Sequence, residues 1–406
     1  MNHNNTPIVP ANDTTPFGLR RAVMLWVRKR IQCGAFTVNW PDGKVTQLQG
    51  AKPGPSASIT VHRWRAVRRF VFGGTLGLAE AYIDGDWDSP DLSAAVELGA
   101  LHQGPLKESN ALQSWSRFTA LLRHRFRPNT KRGSKRNIAE HYDLGNAFYE
   151  AWLDPTMTYS SAVFQRDGET LETGQHNKYR RLLDISGAKE GDRVLEIGCG
   201  WGGFASLAAR ERGVNVTAVT ISKEQHDYAA QRVYQEGLAE KIDVQLRDYR
   251  DLSEKYDHIA SIEMFEAVGE KYWPAYFTKI REALAPGGRA ALQIITIDDT
   301  LFPRYRRSVD FIQSHVFPGG MLPSRAALAD QFRKAGLALV GDDGFGQHYA
   351  RTLAEWHERF QSAWPRLTKL GFDERFRRLW TLYLAYCEGG FRAGNIDVRQ
   401  IALKQG

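Results

Sequence analysis

Cysteine is scarce: three in 406 residues, at Cys33, Cys199 and Cys387. Their wide spacing builds neither a disulfide framework nor a metal-ligand cluster, so a stapled secreted scaffold is excluded and no metal is expected. No uninterrupted apolar run approaches the ~18–20 residues that a membrane span needs. The opening residues, MNHNNTPIVPANDTTP, lack the apolar stretch of a secretory leader. The expectation is a cytoplasmic, soluble chain of two or three domains, each long enough to bury a core. Internal repeats, low-complexity tracts and recognisable nucleic-acid modules are also missing.

Acidic residues are sparse at the front. Residues 1–137 hold 20 Lys/Arg against 9 Asp/Glu, whereas the remainder holds 34 against 37. Such asymmetry points to a polyanionic partner. Residues 115–137, WSRFTALLRHRFRPNTKRGSKRN, carry eight Lys/Arg and no acid, with Trp115, Phe118, Leu121, Leu122 and Phe126 near helical spacing. A basic amphipathic helix with aromatic anchors suits an anionic bilayer surface better than nucleic acid. FGLRRAVMLWVRKRI (17–31) is a second candidate. For both, the alternative is an ordinary amphipathic helix whose basic face is solvated.

The most informative stretch present is VLEIGCGWGG (194–203), where an apolar run ends in an acid and glycines then alternate with bulkier residues before a helix-like segment. Glycines let the backbone turn sharply and pass close to a ligand. The helix that follows offers unpaired N–H groups to polar ligand atoms. A triphosphate loop is excluded because no Gly-Lys-Ser/Thr follows. A dinucleotide fingerprint matches loosely at Gly198, Gly200 and Gly203, but Thr220 stands where that fold needs an acid. Glu196, two residues before Gly198, fits instead the E/D-x-G-x-G pattern of class I S-adenosylmethionine (SAM) methyltransferases.

Strand-like runs at 192–197, 215–220, 242–247, 257–262 and 288–296 alternate with helix-like runs at 203–213, 222–237, 273–284, 324–336, 348–364 and 375–393. This predicts an α/β fold, the doubly wound, mostly parallel sheet of a class I SAM methyltransferase. Ligands in such sheets sit at the carboxyl ends of the strands, which gathers 198–203, Thr220, Asp248, Tyr249 and 264–266 around one crevice. Short β-like runs at 35–39 and 58–61, with a loop plus helix at 73–92, predict a small N-terminal α/β module, which the basic front marks as a lipid-binding domain. The expected boundaries are 1–110 for that domain, 111–137 for a basic amphipathic linker and 138–406 for the methyltransferase domain.

Eight ordered segments carry a resemblance: HYDLGNAFYEAWLDPTMTYSSAVF (141–164), VLEIGCGWGGFA (194–205), VTISKEQ (219–225), RDYRDL (247–252), MFEAVG (264–269), HVFPGGMLPS (315–324), HYARTLAEWHERF (348–360) and YLAYCEGGFR (383–392). Together they resemble the cyclopropane-fatty-acyl-phospholipid synthases and the related mycolic acid cyclopropane synthases. The resemblance implies SAM as cofactor, with Tyr159 and Ser160 at its methionine end and Glu196, Gly198, Gly200, Trp201 and Gly202 wrapping it. Thr220 and Ile221 stand where ribose hydroxyls are read, Gln225 lies one turn further on, and Tyr249 and Arg250 take the adenine position.

The resemblance also implies methyl transfer to the double bond of an unsaturated acyl chain in a membrane phospholipid. The alkene attacks the sulfonium methyl, and the resulting carbocation loses a proton. Such a site needs an apolar tunnel, cation-tolerant aromatic faces, positioned reactants and a base. In the family that base is a bicarbonate ion held by Cys, Glu, His and Tyr. Glu266 and Tyr383 stand at the Glu and Tyr positions, but Ser161 and Gln293 replace the Cys and the His. Bicarbonate is therefore left open. Without it, Glu266 takes the proton and a methyl-branched or methylene product replaces the ring. His315 is a candidate for the lost imidazole, and a degenerate protein that still binds SAM and lipid is the further alternative. The 300–323 stretch reads as a cover over the acyl channel, with Arg304, Arg306 and Arg307 near head groups, and Asp248 as a surface acid. The expected partners are an anionic phospholipid membrane surface, at the inner face of the membrane, and an unsaturated acyl chain. A homodimer is implied by resemblance alone.

Overall fold

The structure is a computed structural model that describes residues 17–102 and 144–406. The linker 111–137, the basic stretch within it, and His141 and Tyr142 lie outside the described residues. The chain forms two compact units, one holding 17–102 with Glu374–Leu382, the other holding 144–373 with Tyr383–Gly406.

In the first unit, α1 (Phe17–Arg28) precedes β1 (Cys33–Asn39), β2 (Val45–Gln49) and β3 (Lys52–Val61). Helix α2 (Arg65–Ile83), the short β4 (Trp87–Asp88) and α3 (Leu92–Leu101) follow. The sheet order is β2-β1-β3-β4, with β1 and β3 parallel. The stretch 73–83, expected to begin as loop, is helix; a left-handed Gly74 (φ +62°) kinks α2 there without ending it. Val38, Ala57, Val61, Ala81, Ile83 and Trp87 form the buried apolar set. On α1, Leu25 and Trp26 remain 48% and 41% exposed, and the Arg30 guanidinium lies 4.2 Å from the Trp26 ring.

The second unit opens with α4 (Asn146–Glu150) and α5 (Leu171–Ser186). The chain then alternates through β5 (Arg193–Ile197), α6 (Gly203–Arg212), β6 (Asn215–Thr220), α7 (Lys223–Gln235) and β7 (Ile242–Leu246). It crosses to β8 (Tyr256–Ile262), α8 (Trp273–Ala283) and β9 (Leu284–Ile297). Two short helices, α9 (Phe302–Tyr305) and α10 (Phe311–His315), lead to α11 (Arg325–Ala335), β10 (Leu337–Gly344), α12 (Gly346–Lys369), α13 (Glu374–Arg392) and β11 (Ile396–Gln405). The strand order is β10-β11-β9-β8-β5-β6-β7. The five strands from β9 to β7 are parallel, whereas β11 and β10 run antiparallel.

Residues 194–197 of β5 are all buried because helices cover both faces of the sheet. Phe265, Trp273, Phe277 and Ile280 fill one side; Leu182, Leu183, Phe204 and Leu207 fill the other. From β5 the chain steps to β6 on one side and later to β8 on the other, so the strand order reverses there and opens a crevice at the carboxyl ends. The periodicity reading has no counterpart for α5, β10 and β11. Helix α5 buries Gln175, Asn177 and Lys178, which breaks the apolar repeat that marks an amphipathic helix.

Candidate active site

After β5, Gly198 (φ +81°), Gly200 (φ +52°) and Gly202 (φ +83°) turn the chain into α6. A Cβ on Gly198 would come within 2.7 Å of Met264 Cγ, so only glycine fits. Glu196 is buried; burial pushes its carboxyl up to about 8, opposed by the Ala205 N–H and the Lys178 charge. Its Oε2 has no hydrogen-bond partner among the described residues. A built Cβ on Gly200 meets nothing within 4 Å. An unanswered buried acid beside an open glycine turn fits a ligand that carries an amino group and a nucleoside.

The other cofactor candidates border this crevice. Trp201 is buried, donates to Asn146 Oδ1 at 2.8 Å and packs 5.0 Å from Tyr149. At the end of β6, Thr220 donates to Gln225 Oε1 at 2.9 Å, and Ser222 caps α7 just past Ile221. Tyr249 stands edge-on to Tyr276 at 5.6 Å, and burial pushes its phenol up to about 12. Arg250 is engaged by Asp248 through bonds of 2.8 and 2.6 Å. Asp248 is buried and caps the turn at 249–251, so it is not the surface acid expected from the sequence.

Beside the glycine turn, at the end of β8, lies a carboxylate that sequence reasoning passed over. Glu263 has φ +48°, a left-handed conformation that costs a non-glycine residue about 1 kcal/mol or more. Its Oε1 accepts from the Ser161 N–H at 2.9 Å and from Gln293 Nε2 at 2.7 Å. Its Oε2 accepts from the Tyr349 hydroxyl at 2.6 Å. Three converging donors are what a small bound anion requires, and here a side chain fills that place. Burial pushes the Glu263 carboxyl up, opposed by the Lys178 charge and by these same bonds.

Glu266, the expected base, lies one turn further on. Its Oε1 accepts from the Ile295 N–H at 2.5 Å, and its Oε2 has no hydrogen-bond partner among the described residues. Burial, then the Glu263 charge, pushes it up to about 8. Two neighbouring buried carboxyls do not both ionise readily, and the one with the donors keeps the charge. Glu263 has three such donors and Glu266 one, so the donors favour the charge on Glu263 and the proton on Glu266.

The remaining site candidates divide. The Ser161 hydroxyl donates to Ala162 O at 3.0 Å, so Ser161 serves Glu263 through its peptide rather than its side chain. Gln293 does reach the carboxylate, and its Oε1 accepts from Gln400 Nε2 at 3.0 Å. The Tyr383 hydroxyl accepts from Tyr159 at 2.7 Å, and Tyr349 takes the place beside the acid. Ser160 Oγ accepts from Lys178 Nζ at 2.6 Å. Tyr149, Trp152, Tyr159 and Trp356 pack into an aromatic cluster with ring centroids 5.3–6.0 Å apart. His315 stacks on Phe311 at 5.4 Å within α10. Arg306 pairs with Glu270 and Arg307 with the Pro303 carbonyl, which ties both to protein groups. The legible signal for Glu263 was the pair of acids three residues apart in IEMFE, of which only the second falls in the MFEAVG segment.

Comparison with known proteins gives concordant results. The family described as mycolic acid cyclopropane synthetase matches residues 129–401. The tuberculostearic acid methyltransferase UfaA1 of Mycobacterium tuberculosis is 39% identical over 374 residues, covering 90% of this chain and 86% of the relative. The cyclopropane-fatty-acyl-phospholipid synthase of Escherichia coli K12 is 36% identical over 364 residues, covering 88% and 90%. Among solved structures, the mycolic acid cyclopropane synthase CmaA1 complexed with SAH and CTAB aligns with TM-score 0.62 at 32% identity, covering 66% of this chain and 97% of that one.

Proposed function

The chain belongs to the mycolic acid cyclopropane synthetase family, and we propose that it is a SAM-dependent fatty-acyl C-methyltransferase whose base is Glu263. Its substrate in this reading is the double bond of an unsaturated acyl chain in an anionic membrane phospholipid, and its product is methyl-branched or methylene rather than cyclopropane. The observation that carries the reading is the Glu263 carboxylate seated among the Ser161 N–H, Gln293 and Tyr349.

SAM, when bound, supplies an electrophilic methyl group. The glycine turn, Glu196, Thr220 and Tyr249 are suited to hold it, with Tyr159 and Ser160 at the methionine end. In this reading the aromatic cluster around Tyr159 excludes water from that side of the site and offers a π face to the cation. Glu263 then takes the proton. Ring closure needs that proton to leave the transferred methyl carbon as the ring bond forms; loss from a chain carbon, or after a hydride shift, leaves a double bond. A carboxylate anchored at the end of β8 and gripped by three donors has one approach to the cation, unlike a movable bicarbonate. The 39% identity to a relative named as a methyltransferase supports the same reading.

The membrane part rests on α1, where Leu25 and Trp26 stay exposed among Arg21, Arg28, Lys29 and Arg30. No described helix is long and apolar enough to cross a membrane. A surface-bound, peripheral enzyme at the cytoplasmic face is the consistent arrangement.

Vesicles of unsaturated anionic phospholipid incubated with protein and methyl-labelled SAM test this. Label in acyl chains that take up hydrogen under mild catalytic hydrogenation, without added bicarbonate, is the expected result. A labelled ring that resists hydrogenation overturns the product, and label in nucleic acid alone, or none, overturns the substrate.

A further inference from the structure

Lys178, on α5, is fully buried, an expensive place for an ammonium. Its Nζ donates to Ser160 Oγ at 2.6 Å. One turn earlier on the same helix, Gln175 Nε2 donates to Ser160 O at 2.9 Å. That carbonyl and the Ser161 N–H belong to one peptide group, and the N–H donates to Glu263 Oε1. Helix α5 thus grips the hydroxyl and the carbonyl of the residue whose peptide feeds the carboxylate. From β11, Gln400 donates both to Lys178 O at 3.2 Å and to Gln293 Oε1, and Gln293 returns to Glu263.

The charges around this loop are few. Burial pushes the Lys178 ammonium down to about 7, opposed by the charges of Glu263, Asp154 and Glu196, the acids around it. Glu196 is pushed up to about 8 by burial and is neutral at pH 7. Asp154 Oδ2 accepts from the Thr156 N–H at 3.0 Å and its hydroxyl at 2.5 Å, while its buried Oδ1 has no partner among the described residues. The Tyr179 ring lies 4.6 Å from Nζ. Around Glu263 stand Lys178, Tyr349, Glu266 and Cys387, of which Lys178 is the cation.

We propose that Lys178 is the counter-ion and positioning residue of the Glu263 carboxylate, acting through its charge and through the peptide joining Ser160 to Ser161. Lys178 touches no reacting atom in this arrangement. The inference rests on Glu263 being the base, and its test separates the two claims.

The direct measurement is the infrared carboxyl band of Glu263 in SAH-bound protein, obtained as the difference between each protein and its Glu263→Gln counterpart and followed against pH. Lys178→Met, close in shape and uncharged, is expected to move the Glu263 midpoint up by about one pH unit or more. The rising limb of kcat/KM moves the same way. Gln175→Leu, which loosens the peptide but keeps the charge, is expected to lower kcat and to move the midpoint up by less than Lys178→Met does. A folded Lys178→Met protein with an unmoved midpoint overturns the proposal. If that variant does not fold, Lys178→Gln, which retains a donor to Ser160, carries the same expectation and the same refutation. A midpoint that moves while the kcat/KM limb stays still upholds the counter-ion and overturns Glu263 as base.

Discussion

Gln293 holds Glu263 by side chain and main chain together: its Nε2 donates to Glu263 Oε1 at 2.7 Å, and its carbonyl accepts from the Glu263 N–H at 2.8 Å. Position 293 therefore does more than stand in for an imidazole. It fixes the Glu263 carboxylate, to which the Ser161 N–H also donates, so positions 161 and 293 serve one arrangement.

The two glutamates respond differently to the same change. Glu263→Gln is expected to lower turnover by about 10²–10⁴-fold, the usual contribution of a positioned base, with SAH affinity nearly unchanged. Glu266→Gln replaces an already neutral acid by its amide and is expected to cost less than ~10-fold on the same scale. Steady-state kinetics beside calorimetric SAH titration checks both, and a larger loss at Glu266 would return the base to that residue.

Opening the anion place is expected to change what the enzyme needs. Glu263→Gly relieves the positive φ and leaves the Ser161 N–H, Gln293 and Tyr349 facing the vacated volume. That variant is expected to be inactive alone and to regain activity with added bicarbonate or formate. Ser161→Cys with Gln293→His should leave the product unchanged while Glu263 is present and shift it toward the ring only together with Glu263→Gly. Rate against anion concentration and product mass spectra decide this.

Stability should fall as pH rises through the neutral range. Glu196 and Glu266 both lie at about 8 in the folded chain, against an ordinary 4.5. Above pH 4.5 the unfolded chain releases protons that the folded chain retains, so their stabilisation is full below that value and is lost up to about pH 8. Lys178, lowered from 10.5 to about 7, acts oppositely, adding stability as pH rises between those values. The melting temperature should therefore decline from about pH 5 to about pH 7, and Glu266→Gln should flatten that decline. Scanning fluorimetry across pH measures it; an identical slope in the variant refutes the assignment.

Membrane attachment is expected to depend on α1. Replacing Leu25 and Trp26 by Ser should weaken co-sedimentation with anionic vesicles by about tenfold, given ~1.5–3 kcal/mol for fully burying a large apolar side chain, while activity on detergent-dispersed lipid persists. Equal sedimentation would move the attachment surface elsewhere.

Local chemistry made much of the fold legible. Strand β6 follows its apolar run residue for residue, and β5, β8 and the helices from α6 to α8 fall within a few residues of the periodicity. Alternating β and α patterns specify a parallel doubly wound sheet, and a glycine turn after β5 needs only its own sequence to be recognised. The antiparallel β10 and β11 were not legible, since their place beside β9 depends on a chain return that no local pattern encodes. The chemistry of the site was legible only in part. The sequence alone carried the family resemblance, the cofactor expectation and the expectation that Ser161 and Gln293 stand at the family's Cys and His positions. Only the tertiary structure brings the donors to the other acid: Gln293 from β9 and Tyr349 from α12 converge on Glu263 against the burial that disfavours its charge, and neither is its neighbour in sequence.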